Sequence, residues 1–233
     1  MYSEEIEASG FIVISGMLDP VTIARVVDQL RCIPRTNATK QRGGNYFGIR
    51  NLLSVAPYVC ELANSACVRS IVDPIVGKEA QAVRGIFFDK TPEANWKVPW
   101  HQDLTISVQQ KREAAGFRCW TRKAGITHVQ PPTLVMEEIL TLRLHLDDTD
   151  EESGALKVIP GSHKYGRLTP PAIQRTKRET PPFVCAAKKG DVLAMRPLLL
   201  HSSSVSSNAF HRRVIHLEYA AMDLPGGLEW SQS

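Results

Sequence analysis

The sequence predicts one α+β domain, mainly β, with a sandwich or barrel core and helices confined to its first third. Three observations carry this. Helical spacing of apolar residues occurs before residue 80 and fades after it. Beyond that point, short β-branched or alternating runs recur between turn-forming residues. No internal repeat or linker divides the chain, so 1–233 reads as a single domain: a strand and helices over 1–80, a β core over 81–220 and a tail over 221–233.

The elements follow in order. "GFIVIS" is a short β-branched strand ended by Gly16. Asp19 can cap a helix, Pro20 suits its first position, and Ile23, Val26, Val27 and Leu30 repeat at helical spacing until Pro34. "TNATKQRGGNYFG" reads as a loop, and 54–76 as two short helices broken near Ser65 and at Pro74–Gly77. "QAVRGIFFDK", "PWHQDLTISV" and "GFRCW" are strand-like. "EEILTLRLHLDD" alternates Leu142, Leu144 and Leu146 with Thr141, Arg143 and His145, the pattern of a half-buried strand whose polar face meets solvent. "SGALKVIPGSH" runs into a Pro-Gly turn. "GDVLAM" and "RRVIHLEYA" finish the set.

Composition narrows the function classes. Hydrophobic residues at 43% and charged residues at 22% suit a soluble globular protein. No apolar run is long enough to span a membrane, and "MYSEEIEASG" lacks the basic start and apolar stretch of a signal peptide. Five cysteines without a close CxxC pair suit free thiols in a reducing compartment, so a cytoplasmic location is expected. Residues 164–189 hold seven bases against the single acid Glu179. That segment reads either as a solvated surface loop or as a positive rim that attracts an anionic small molecule. It lacks the interleaved aromatics of a nucleic-acid module, so a nucleic-acid partner is not expected.

Three pairs of a histidine and an acid two residues apart stand out: His101/Asp103, His145/Asp147 and His216/Glu218. Seven histidines and 24 acids among 233 residues lead to about 0.7 such pairs by chance, so spacing alone does not choose. On a strand, residues i and i+2 share a face. One imidazole and one carboxylate can then meet a second histidine from a neighbouring strand, a facial triad suited to non-haem Fe(II). His163, His201, His211 and His216 are the histidines available for that third position. His201 is the best placed, because it ends the apolar run "VLAMRPLLLH" where the chain turns small and polar. A hairpin between His201 and Arg212 would bring an arginine beside the metal, suited to a dicarboxylate such as 2-oxoglutarate, while Arg213 faces the other way. On residues alone His145/Asp147 remains a rival. His216/Glu218 reads as strand packing and surface.

The segments "WHQD", "HLDDTDEESGALKVIPGSHKYG", "GDVLAM" and "HSSSVSSNAFHRRVIHLEY", with "GFIVISGMLDP" at the start, resemble the phytanoyl-CoA dioxygenase family of Fe(II)/2-oxoglutarate-dependent oxygenases. The resemblance covers most of the chain in the family's order. It implies a double-stranded β-helix, a jelly-roll or cupin-like core, with the N-terminal helices packed on it. It places the metal ligands at His101, Asp103 and His201, and the 2-oxoglutarate arginine at Arg212. Ser203, Gln102 and Trp120 match positions that help hold the co-substrate. Asp147 then serves backbone N–H groups of the 149–154 turn.

The resemblance further implies Fe(II), 2-oxoglutarate and O2, with ascorbate as an activator in vitro. Oxidation of a C–H bond of a small substrate, an anionic one if the basic segment rims the pocket, would accompany release of succinate and CO2. The carboxylate of Asp103 favours hydroxylation over halogenation. Trp96 and Trp100 read as core or lid packing. Arg143 and His145 share a strand face that points either into the pocket or to solvent, with solvent the favoured reading. "GGNYFGIRNLL" reads first as a surface loop and, alternatively, as a lid that contacts a ligand through Tyr46, Phe47 and Arg50. Two other classes use the same residues: a non-catalytic ligand-binding protein, and a cupin-like metalloenzyme that needs no 2-oxoglutarate.

Overall fold

The computed structural model describes residues 2–34, 39–42, 45–207 and 211–231, and for 39–42 and 45–47 the backbone alone. The chain opens with helix α1 (Tyr2–Ser9), strand β1 (Phe11–Ile14) and helix α2 (Pro20–Arg31). Strands β2 (Thr39–Arg42) and β3 (Asn45–Ile49) precede helices α3 (Leu52–Val55), α4 (Pro57–Ala63) and α5 (Ala66–Val76). Next come β4 (Gln81–Lys90), β5 (Val98–His101), β6 (Ile106–Val108), β7 (Arg118–Lys123), β8 (Ile126–Gln130), α6 (Thr133–Glu137) and β9 (Leu140–His145). β10 (Leu156–Val158), α7 (Pro170–Glu179), β11 (Phe183–Cys185), β12 (Val192–Met195), β13 (His201–Ser203) and β14 (Arg212–Ala220) complete the order.

Two sheets face each other. One runs β1-β12-β9-β14-β4-β3-β2 and the other β11-β10-β13-β5, with every pairing antiparallel. Leaving out β6–β8, consecutive strands from β4 onward cross between the sheets, except that β10 and β11 share one. That winding is a double-stranded β-helix, or jelly roll. A smaller sheet, β6-β8-β7, lies beside it. No helix among the described residues is long and apolar enough to cross a membrane.

Local chemistry explains the helices. Asp19 accepts hydrogen bonds from Val21 N and Thr22 N at 2.9 Å, which caps α2, and Pro20 opens it. Its buried stripe of Ile23, Val26, Val27 and Leu30 packs with Val59, Ile71, Leu142, Leu144 and Leu217. The helices thus cover one face of the large sheet, and the opposite face looks toward the β11-β10-β13-β5 sheet.

Several expectations need correction. Residues 39–42 and 45–49 pair as strands where a loop was expected. Residues 52–76 form three helices, and Pro74 lies inside α5, held there by the buried face of Val68, Ile71 and Val72. "PWHQDLTISV" splits into β5 and β6, with the chain leaving the strand after His101. The basic stretch contains helix α7, capped by Thr169 and opened by Pro170. "VLAMRPLLLH" is not one strand: β12 stops at Met195, and His201 begins β13 in the other sheet. His201 and Arg212 therefore belong to facing sheets, not to a hairpin.

Candidate metal centre and its cavity

A cavity of about 260 Å³ opens between the sheets, lined by residues of β3, β4, β9, β13 and β14 among others. His101 closes β5, and His201 sits directly opposite it in the β13 ladder. Their rings lie 4.2 Å apart, centroid to centroid. Asp103 follows in the loop, fixed by its N–H to Pro197 O at 3.0 Å. Its two carboxylate oxygens lie 3.8 Å from His101 Nε2 and 3.7 Å from His201 Nε2. Among the described residues these three form the sole cluster of metal-ligating side chains.

The donor set fits a divalent ion. First-row ions bond imidazole nitrogen and carboxylate oxygen at about 2.0–2.2 Å, so one ion spans donors up to about 4 Å apart. Each histidine also presents the right nitrogen. His101 Nδ1 lies 2.9 Å from Pro99 O, and His201 Nδ1 lies 2.8 Å from Leu199 O. A carbonyl accepts, so Nδ1 carries the proton and Nε2 offers a lone pair to the cavity. Burial pushes His201 down to about 4, which keeps it neutral. Burial works against the charge on Asp103, but His201, His216, His101 and Arg84 outweigh it and hold the carboxyl near 2. Two neutral imidazoles and one carboxylate are the ligands a facial-triad ion asks for.

The register of β4 and β14 gives the cavity two ends. Arg212 pairs with Lys90, His216 with Ile86, and Glu218 with Arg84. At the first end Arg212 is 3% exposed, donates from Nη1 to Gly154 O, and has no partner for Nε among the described residues. Lys90 Nζ reaches Ser203 Oγ and Ser204 O, each at 2.6 Å, and lies 5.4 Å from the Trp96 ring centre. Burial, with Arg212 and Arg143 nearby, pulls Lys90 down to about 7; burial and Arg143 pull Arg212 to about 9. Arg143 stands midway, its Nη1 3.3 Å from His216 Nδ1. At the second end Arg84 Nη1 donates to Glu218 Oε1 at 3.0 Å and Thr105 O at 3.1 Å.

Of the expected residues, His101, Asp103, His201, Ser203, Arg212 and Trp96 line one cavity. Gln102 is engaged elsewhere: its Nε2 donates to Gly166 O and Leu198 O at 2.7 Å, and its Oε1 accepts from Leu168 N at 2.8 Å. Trp120 packs beside Val83, Ile106 and Val129 in a separate apolar cluster. Neither lines the cavity, so neither is offered to a co-substrate here. Trp100 does not line it either.

Arg143 and His145 are buried, at 9% and 3% exposure, not solvent-facing. The strand alternates as its sequence implies, but its polar face looks into the molecule. The rival carboxylate Asp147 grips Arg213, at 2.8 Å to Nε and 2.6 Å to Nη2, instead of serving the turn. Asp150 serves Ser153 N there. His216 and Glu218 are buried in the cavity wall, 3.1 Å apart, not at the surface. No residue of 164–189 lines the cavity, so the basic segment is not its rim. For the expected lid, Gly43, Gly44 and the side chains of Tyr46 and Phe47 lie outside the described residues, while Arg50 does line the cavity.

Sequence reasoning missed Lys90, Arg84 and Arg143 as cavity residues. The signal was present as a period of two: Arg84, Ile86, Phe88 and Lys90 share one strand face, as do Arg212, His216 and Glu218.

Residues 6–214 match the family model described as phytanoyl-CoA dioxygenase. No curated protein sequence matches the chain. Among solved structures, AviO1 from Streptomyces viridochromogenes Tue57 is 22% identical with a TM-score of 0.69, over 96% of this chain and 95% of that one. EctD from S. alaskensis, solved with 2-oxoglutarate and 5-hydroxyectoine, is 17% identical with a TM-score of 0.74, over 94% and 74%. SnoN, a non-haem α-ketoglutarate-dependent epimerase from nogalamycin biosynthesis, is 16% identical with a TM-score of 0.64, over 97% and 89%. At these identities the likeness establishes the fold.

Proposed function

The chain belongs to the phytanoyl-CoA dioxygenase family of Fe(II)/2-oxoglutarate-dependent dioxygenases, and we propose that it hydroxylates a C–H bond of a small organic substrate. The observation that carries this is the convergence of two Nε2-presenting imidazoles and one carboxylate beside a buried arginine whose Nε has no partner among the described residues.

His101, Asp103 and His201 would hold Fe(II). Arg212 would pair with the far carboxylate of 2-oxoglutarate, with Ser203 and Lys90 beside it. A buried guanidinium needs an anion, and a carboxylate matches its fork. When bound, iron and O2 supply the oxidising power that splits 2-oxoglutarate to succinate and CO2 and oxidises the substrate. The chain's own part is to hold both molecules in place and keep bulk water out. Phe88, Trp96 and Ile86 supply apolar wall for that. The carboxylate of Asp103 fills the position that a halide would need, so hydroxylation is the favoured outcome. Five free cysteines suit a cytoplasmic setting.

The test is anaerobic addition of 2-oxoglutarate to the Fe(II) protein, followed by visible absorption, with succinate release measured in air. His201→Ala and Asp103→Ala should lose the absorption change and the succinate. Arg212→Ala should keep iron and need about a hundredfold more 2-oxoglutarate, the cost of removing one partner of a buried charge pair. Parent-like turnover by Asp103→Ala overturns the assignment.

A further inference from the structure

The second end of the cavity is positive without a ligand to explain it. Arg50 follows β3, Arg84 lies on β4 and Lys123 ends β7, so three separate elements deliver cations to one wall. Arg84 is matched by Glu218. Glu218 also faces His216 at 3.1 Å, so its charge is already in use. The side chains of Arg50 and Lys123 have no hydrogen-bond or ion-pair partner among the described residues; Arg50 feels the charge of Arg84, and Lys123 feels Arg50 and Arg84. His128, behind this group, is held down at about 4 by its burial and by Arg84, Lys123 and Arg50, which marks the local field as positive.

The 2-oxoglutarate proposed for Arg212 does not reach this wall. Arg212 and Glu218 are six residues apart on β14, roughly 20 Å at about 3.4 Å per residue. A five-carbon chain with bonds of about 1.5 Å extends only about 6–7 Å between its ends. The metal ligands lie between the two positive ends: Ser203, two residues after His201, accepts from Lys90 at the first end, and Thr105, two residues after Asp103, accepts from Arg84 at the second. A second anion is therefore called for, on the far side of the oxidising centre.

We propose that Arg50 and Lys123 seat an anionic group, a carboxylate or a phosphate ester, of the primary substrate. The inference rests on the oxygenase reading and names its substrate class: a small organic anion whose reacting C–H lies between that group and the His101/Asp103/His201 cluster. The planar fork of Arg50 suits both chemistries, and Lys123 adds a mobile point charge at the mouth. Like charges left together repel, so an anion here also relieves the wall.

The experiment uses the full chain loaded anaerobically with Fe(II) and 2-oxoglutarate, which occupies the Arg212 end. Phenyl phosphate and benzoate are titrated calorimetrically beside their neutral counterparts, phenol and benzamide. At least one anion should bind about tenfold or more tighter than its neutral partner. Arg50→Gln and Lys123→Gln should each weaken that anion about tenfold, the scale of one charge-assisted hydrogen bond. The phosphate-to-benzoate ratio reports which anion the wall prefers. Affinity for 2-oxoglutarate, read in the same samples, should stay within twofold. Equal binding of charged and neutral probes, or a preference that survives the double substitution, overturns the inference. A parent protein that fails to take up 2-oxoglutarate with Fe(II) overturns the co-substrate assignment instead, so the two failures are distinguishable.

Discussion

His145 should make the metal-free protein acid-sensitive by a calculable amount. The side chain is 3% exposed, and its Nδ1 has no hydrogen-bond partner among the described residues. Burial, then Arg143 and Arg212, push it down to about 3. An unfolded histidine titrates near 6.5. Between about pH 3 and 6.5 the unfolded chain therefore binds the proton that the folded chain refuses. Stability rises with pH across that window and is lost as pH falls through it. From pH 7 to pH 5 the loss from this one group is about 2 kcal/mol. His128, 4% exposed and held near 4, adds a loss of the same sign. Comparison with His145→Leu isolates the first contribution. The assay is urea unfolding of chelator-treated parent and variant at pH 7, 6, 5.5 and 5. The variant is expected to lose about 2 kcal/mol less than the parent over that range. Parallel stability curves would refute the reasoning, because they would mean His145 accepts a proton as readily in the fold as outside it.

Two further predictions rest on packing. Gly154 adopts a φ of +76°, and a Cβ there would meet Ser204 O at 2.6 Å; Gly154→Ala should destabilise the fold by about 1–3 kcal/mol in urea titrations, and should weaken 2-oxoglutarate binding, because Gly154 O holds Arg212. Cys185 is buried and its thiol is pushed up to about 12, whereas Cys32 and Cys119 are exposed; a thiol reagent followed by mass spectrometry should label those two in the native protein and reach Cys185 only after unfolding.

What could be read from the sequence divides along a physical line. Strong local signals survived. Asp19-Pro20 before an apolar stripe is a helix start whatever surrounds it, and α2 is there. "QAVRGIFFDK" and "RRVIHLEYA" are β-branched and aromatic, and they pair along their whole length. Weak or mixed signals failed. Helix α7 is so polar that its Thr-Pro start was the one usable cue, and β2–β3 is a polar, glycine-interrupted hairpin. His101 and Asp103 do converge, though the reason expected was wrong. The strand ends at His101, and a loop tied to Pro197 O, not a shared strand face, brings the carboxylate back. Gln102, between them, faces the chain and holds Gly166, Leu168 and Leu198. Only the partner segment could reveal that, and it lies 64 or more residues away in sequence.

Sidedness is the information that alternation omits. A period of two says that Arg143 and Leu142 face opposite ways, not which way is out. The default for an antiparallel sheet is an apolar face on the core and a polar face in water. Here the helices take the apolar face, and the second sheet encloses the polar one. The same fact moves the protein's positive field. The basic residues expected to matter, 164–189, stand off the cavity, while Lys90, Arg84, Arg143 and Arg212 come from strands that read as ordinary amphipathic β. Buried cations in such number are costly unless something answers them. Among the described residues of the cavity wall only Asp103 and Glu218 are acidic, and Glu218 is matched to Arg84. A dianionic co-substrate at one end, with the anionic substrate proposed above at the other, would balance that charge.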